Sequence, residues 1–104
     1  MPRAADAYAT ADKWGWILGA RGHGTEWARI FKAEPEDSGQ IWHAIAAAVP
    51  DARVSTVRDR APHGVVCGVE LTLTINDREA AVATAWHYPD EDAAPRLVTA
   101  YPTA

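Results

Sequence analysis

Six residues carry groups that could do chemistry together: Lys13, His23, His87, Arg96, Thr99 and Tyr101. Arg96, Thr99 and Tyr101 bring a guanidinium, a hydroxyl and a phenol into six residues of the tail. Lys13 offers an ammonium that could hold phosphate. His23 stands on a glycine-rich loop, where a histidine is better placed to act as a general base than on an apolar helix face. His87 closes a strand pattern beside that tail. Each has a plainer reading: Lys13 as a solvated charge, Thr99 as a strand former, Tyr101 as a packing residue. Glu70 reads as a base or a surface carboxylate. His43 and His63 read as structural or solvent-exposed, and Arg78 as solvated after a tight turn. No His/Cys/Asp spacing reads as a metal site, and there is no nucleophile elbow.

The elements that must position these groups follow from length and patterning. A chain of 104 residues, 48% hydrophobic and 23% charged, is one domain with a modest core. The expected boundaries are a loose start over residues 1–11 and a single domain over 12–102. Five Trp are a large apolar payload, mostly core. A net charge of -4 argues against wrapping nucleic acid on a broad basic face, though not against a small cationic cleft. The single cysteine, Cys67, allows no internal disulfide. No apolar run approaches the ~20 residues of a membrane span, and no signal-peptide core is visible. A cytoplasmic protein without a cofactor or a membrane partner is expected.

Helices come first. Trp14, Ile17 and Leu18 share a face at helical spacing, with Thr10 or Asp12 as a cap. Residues 19–24 (GARGHG) read as a flexible loop; lacking a preceding strand and a Gly-Lys-Ser/Thr, it is no phosphate loop. A second helix is expected over residues 25–33. A third, capped by Ser38, is expected over 39–49.

The period then changes to two. Residues 52–58 predict an edge strand. Residues 65–75 and 78–88 predict a long hairpin about Asn76-Asp77, with a type I′ turn. With Ile75 opposite Arg78, Leu71 faces Val82 and Cys67 faces Trp86. The core face is then Cys67, Val69, Leu71, Leu73, Ile75, Val82 and Trp86. The other face is polar and lined by Ala81, Ala83 and Ala85. The tail, residues 95–102, is a last strand. Either Val98 and Ala100 face the core, which is the preferred assignment, or Leu97 and Thr99 do. The fold class is α+β: N-terminal helices packed on one face of an antiparallel sheet of about four strands.

The tail PRLVTAYP resembles the ending of a family of small bacterial domains of unknown function. Lys13 with Trp14, Ile17 and Leu18 resembles that family's opening helix. Residues 28–31, Pro62-His63-Gly64, Arg78 and Trp86 resemble later segments in the same order, over residues 12–102. Domains of that family look like C-terminal effectors of bacterial toxins. They are similar to the superfamily of barnase, EndoU, colicin and RelE nucleases.

The resemblance implies a small toxin-like, metal-independent ribonuclease. Such cleavage needs a base for the 2′-hydroxyl, an acid for the leaving oxygen and cations for the phosphorane. Arg96 and Lys13 would hold phosphate, His23 or His87 would move protons, and Thr99 and Tyr101 would orient phosphate or base. RNA and a cognate immunity or antitoxin protein are the implied partners. The alternative is a non-catalytic, immunity-like or antitoxin-like module that docks a partner on the alanine-lined face. A homodimer through the tail strand or Trp16 is a further possibility.

Overall fold

The computed structural model describes residues 1–103. Three helices, α1 (Ala11–Ile17), α2 (Gly24–Phe31) and α3 (Ser38–Ala48), precede four strands. The strands are β1 (Val54–Asp59), β2 (Val65–Ile75), β3 (Arg78–Tyr88) and β4 (Arg96–Pro102). They pair antiparallel in the order β1-β2-β3-β4, and the helices cover one face. This is the α+β layer arrangement expected from the sequence.

The hairpin register is the expected one, from Val65↔Tyr88 to Ile75↔Arg78. Asn76 and Asp77 both hold positive φ, 53° and 63°, as a type I′ turn requires. Asn76 Nδ2 also donates to the carbonyls of Phe31 and Lys32, at 3.1 and 3.2 Å. The turn thereby satisfies carbonyls left free at the end of α2. The core face buries Val69, Leu71, Leu73, Ile75, Val82 and Trp86 against Ile17, Trp27, Phe31, Ile41 and Ile45. Trp27 and Trp86 are fully buried; Trp16 stays 50% exposed.

Three local details differ from the sequence reading. Asp37, not Ser38, precedes α3, and its carboxylate accepts from the Glu34 amide at 2.9 Å. The glycine loop is closely packed: a Cβ on Gly22 would collide with the Trp16 carbonyl. Glycine there supplies close approach to α1. The start of the chain is tied down. Tyr8 bridges Arg96 in parallel, Leu97 N donates to Tyr8 O at 2.8 Å, and Tyr88 Oη donates to Pro2 O at 2.6 Å.

β4 resolves the face assignment in a way neither alternative anticipated. Its pairing slips between Ala85 and Trp86, so Val98 is an extra residue in a β-bulge. Leu97 and Ala100 are both fully buried, while Val98 and Thr99 are only partly so. The preferred assignment of Val98 to the core is therefore corrected. Leu97 lies inside, and the bulge restores Ala100 to the same side. Trp27 Nε1 donates to the Ala100 carbonyl at 3.0 Å, pinning β4 to α2 in that phase.

Trp27→Phe keeps an aromatic ring but leaves the Ala100 carbonyl without its donor. It is expected to destabilise the fold by about 2 kcal/mol, measured by urea unfolding. A second expectation concerns alkaline pH. Burial pushes the Tyr88 phenol up to about 12 from 10.0, with Cys67 adding to the rise. A raised folded value favours the protonated phenol. Its contribution is complete below pH 10 and is lost as pH climbs through about 12. Between those limits the parent should lose melting temperature more steeply than Tyr88→Phe.

Candidate functional site

The sheet face away from the helices carries the polar residues, and the registers read them across the strands. One rung holds Arg58, Val66, His87 and Arg96. The next holds Thr56, Gly68, Ala85 and Thr99. A third holds Glu70, Ala83 and Tyr101. Side chains two residues apart on a strand share a face at about 6.6 Å spacing. The middle rung is low because Gly68 and Ala85 sit at its centre. A Cβ on Gly68 would collide with Thr56 Oγ1.

A groove of about 460 Å³ runs over this floor. Thr56, Arg58, Arg60, Glu70, Thr99 and Tyr101 line it above Gly68, Ala83 and Ala85. One end is cationic. Among the described residues the one ion pair is Arg3–Asp6 at 3.3 Å, so Arg58, Arg60 and Arg96 have no carboxylate partner there. Asp12 lies near enough to Arg96 to feel it. Its carboxyl is held low first by the Thr10 hydroxyl, then by its own backbone N–H, and more weakly by Lys13 and Arg96. His87 Nε2 lies 2.5 Å from the His63 carbonyl. A carbonyl only accepts, so Nε2 carries the proton of the neutral ring and Nδ1 is left with the lone pair.

Two threonines on neighbouring strands have opposite fates. Thr84 Oγ1, in the core, donates to Val69 O at 2.7 Å and accepts from Trp86 Nε1 at 2.8 Å. Among the described residues Thr99 Oγ1 has no hydrogen-bond partner, and the atom itself is shielded from solvent. The bulge turns Thr99 to the groove side, so the residue lines the groove while its hydroxyl stays covered.

Tyr101 forms the wall across Ala83 from Glu70. It is 37% exposed, and the His23 ring stacks on it at 4.7 Å and 28°. His23 precedes α2 and reaches the sheet only through this stack. Thus Thr99 and Tyr101 line the groove, His87 and Arg96 share a rung with its Arg58, and His23 backs its wall. Lys13 stays on α1 and does not line it.

Arg58 and Arg60 were not singled out from the sequence. Pairing the first strand with the second would have put Arg58 opposite Val66, in the rung of His87. Arg60 had no such signal, since it lies past β1 in a turn closed by its amide on Gly64 O at 2.8 Å.

A second cleft, about 320 Å³, lies between Pro2, Val65, Cys67, Tyr88, Asp90 and Glu91. Burial raises the Cys67 thiol, which disfavours the reactive thiolate. Among the described residues no group of three or more His, Cys, Asp or Glu is placed to hold a metal ion. Among the described residues no helix is long and apolar enough to cross a membrane.

Fold and groove together define a small α+β protein with a polar, partly cationic open sheet face. Residues 18–104 match the model of a domain of unknown function, DUF6883, and the chain belongs to that family. Comparison with curated proteins and with solved structures finds no match to either.

If the Thr99 hydroxyl is without a partner, a methyl in its place costs nothing. Thr99→Val is expected to hold or raise stability, by up to about 1 kcal/mol. Both residues are β-branched, so strand preference is unchanged. A measurable loss in urea unfolding would mean that the hydroxyl is bonded.

Proposed function

We propose that the groove binds and cleaves RNA without a metal ion. The observation that carries this reading is the unpartnered Thr99 hydroxyl in a low floor between Glu70 and the Arg58–His87–Arg96 rung. Once the Thr99 side chain turns its covered hydroxyl toward the groove, a phosphate seated on that floor receives its hydrogen bond. It lies between a carboxylate on one side and an imidazole with two guanidiniums on the other. Bulges are frequent beside active sites, where they re-aim one side chain.

The chemistry balances with these groups. Glu70 takes the proton of the 2′-hydroxyl, and the 2′-oxygen attacks phosphorus. The protonated His87 gives its Nδ1 proton to the departing 5′-oxygen. A 2′,3′-cyclic phosphate and a 5′-hydroxyl result. Arg58 and Arg96 offset the charge gathered on the phosphorane oxygens, where fixed donors matter most. The resemblance to toxin-associated nucleases supports the same reading. With it come cytoplasmic action on RNA and a cognate immunity or antitoxin protein as partner.

Purified protein is expected to fragment single-stranded RNA in EDTA and leave 2′,3′-cyclic ends. Glu70→Gln and His87→Gln should each slow this by about 10²- to 10⁴-fold while the variants stay folded. If the folded parent leaves RNA whole, the reading fails. The alanine-lined face is then better taken as a surface for a protein partner or a second copy.

A further inference from the structure

Tyr101 has no task in that chemistry. Its ring stands in the rung of Glu70, one step from the Thr99 floor. Among the described residues the three other aromatic pairs, Trp14–Trp42, Trp27–Phe31 and Trp42–Trp86, each include a buried or half-buried tryptophan packed in or against the core. The His23–Tyr101 pair alone presents an exposed ring beside the groove. Stacking against His23 fixes that ring, so little side-chain freedom remains to be lost on binding.

We infer that Tyr101, braced by His23, is the stacking platform for the nucleobase on the 5′ side of the cleaved phosphate. The inference rests on the reading above and gives the groove a direction. The 2′-hydroxyl belongs to the nucleotide 5′ of the phosphate, and Glu70 is its base. Glu70 and Tyr101 share a rung, so that nucleotide's base lies against Tyr101. The leaving 5′-oxygen points the other way, toward His87. The strand therefore runs 5′ to 3′ from Tyr101 toward the Arg58–His87–Arg96 end. His87 and Ala83, the β3 residues of the two end rungs, are four positions apart. That is about 13 Å between backbone positions at the usual strand rise, so the Glu70 and His87 side chains lean inward over the Thr99 rung to reach the two oxygens of one phosphate. A base held in a duplex cannot reach an aromatic ring, so the substrate is single-stranded.

The test uses the full chain and three probes at low salt: a single-stranded oligoribonucleotide, the same strand in a duplex, and inorganic polyphosphate. Tyr101→Ala should weaken the single strand about tenfold or more and leave polyphosphate unchanged. Tyr101→Phe should bind like the parent. His23→Ala should weaken the single strand less, again sparing polyphosphate, and His23→Phe should restore it. Direction is read with DNA strands holding one ribonucleotide, where cleavage can occur only at that sugar. Removing the base of the ribonucleotide should slow the parent about tenfold. Removing the next base on the 3′ side should not.

Equal loss of single strand and polyphosphate in Tyr101→Ala would overturn the inference, as would duplex binding as tight as single-strand binding. So would a parent sensitive only to the 3′ base. In those cases ribonuclease activity of the parent still stands by itself. A parent that neither binds nor cuts RNA overturns both.

Discussion

The pairing register of β2 and β3 is the constraint on which the open face depends. It runs unbroken from Val65↔Tyr88 to Ile75↔Arg78. On one side of the pair Cys67, Val69, Leu71, Leu73, Ile75, Val82 and Trp86 are all buried. A slip of one residue would turn each strand over. Each fully buried apolar side chain is worth about 1.5–3 kcal/mol, so exposing several at once exceeds the stability of a small domain. Asn76 adds a second lock by reaching from the turn to the end of α2. The core thereby decides the polar side as well. Glu70 and His87 stand on opposite sides of the Gly68–Ala85 rung because the apolar residues between them have no other register.

β4 answers to two demands that a regular strand cannot meet. Arg96 must follow His87 on one face, and Ala100 must meet Trp27 on the other. Leu97 and Ala100 are three residues apart, and strict alternation puts such residues on opposite faces. The extra residue at Val98 absorbs the mismatch. Both are then buried, and Thr99 is turned outward. Burying a hydroxyl without a partner opposes folding. Thr84 shows that this sheet can satisfy a buried threonine when the hydroxyl is structural. The contrast marks Thr99 as the threonine whose hydroxyl this sheet leaves unsatisfied.

The fold was readable where one physical rule dominated. Period-two alternation with a two-residue turn specified the hairpin to the residue. Helical spacing of Trp14, Ile17 and Leu18, and of Ile41 and Ile45, specified buried stripes. The bulge was not readable, because PRLVTAYP carries no glycine or other mark of an extra residue. It arises from the joint demands of Trp27 and Leu97, which meet only in three dimensions. Thr99 and Tyr101 were singled out by their side-chain chemistry and by the tail's resemblance, not by register, because the face of β4 was left open between two assignments. Arg58 needed the pairing of β1, and Arg60 a turn closed on Gly64, so neither followed from local pattern. The stack of His23 on Tyr101 joins positions far apart in sequence, beyond the reach of any periodicity.

Net charge and local charge must be kept apart here. The chain is at -4 overall, with a pI near 5.4. Its clustered carboxylates lie elsewhere: Asp90 and Glu91 border the second cleft, and Glu34, Glu36 and Asp37 surround the start of α3. At physiological salt, exposed charges are screened beyond about 8 Å. What a ligand feels at the groove is therefore Arg58, Arg60, Arg96 and Glu70, with Asp12 and Lys13 close to Arg96, not the total. So few cations neutralise only a few phosphates, and affinity should fall with salt far less steeply than for a protein that tracks a long backbone. On the proposed reading such a groove takes a short exposed segment, because it offers the rest of a polyanion no further cations. The charge that argues against a broad nucleic-acid surface is thus compatible with a site about one nucleotide long.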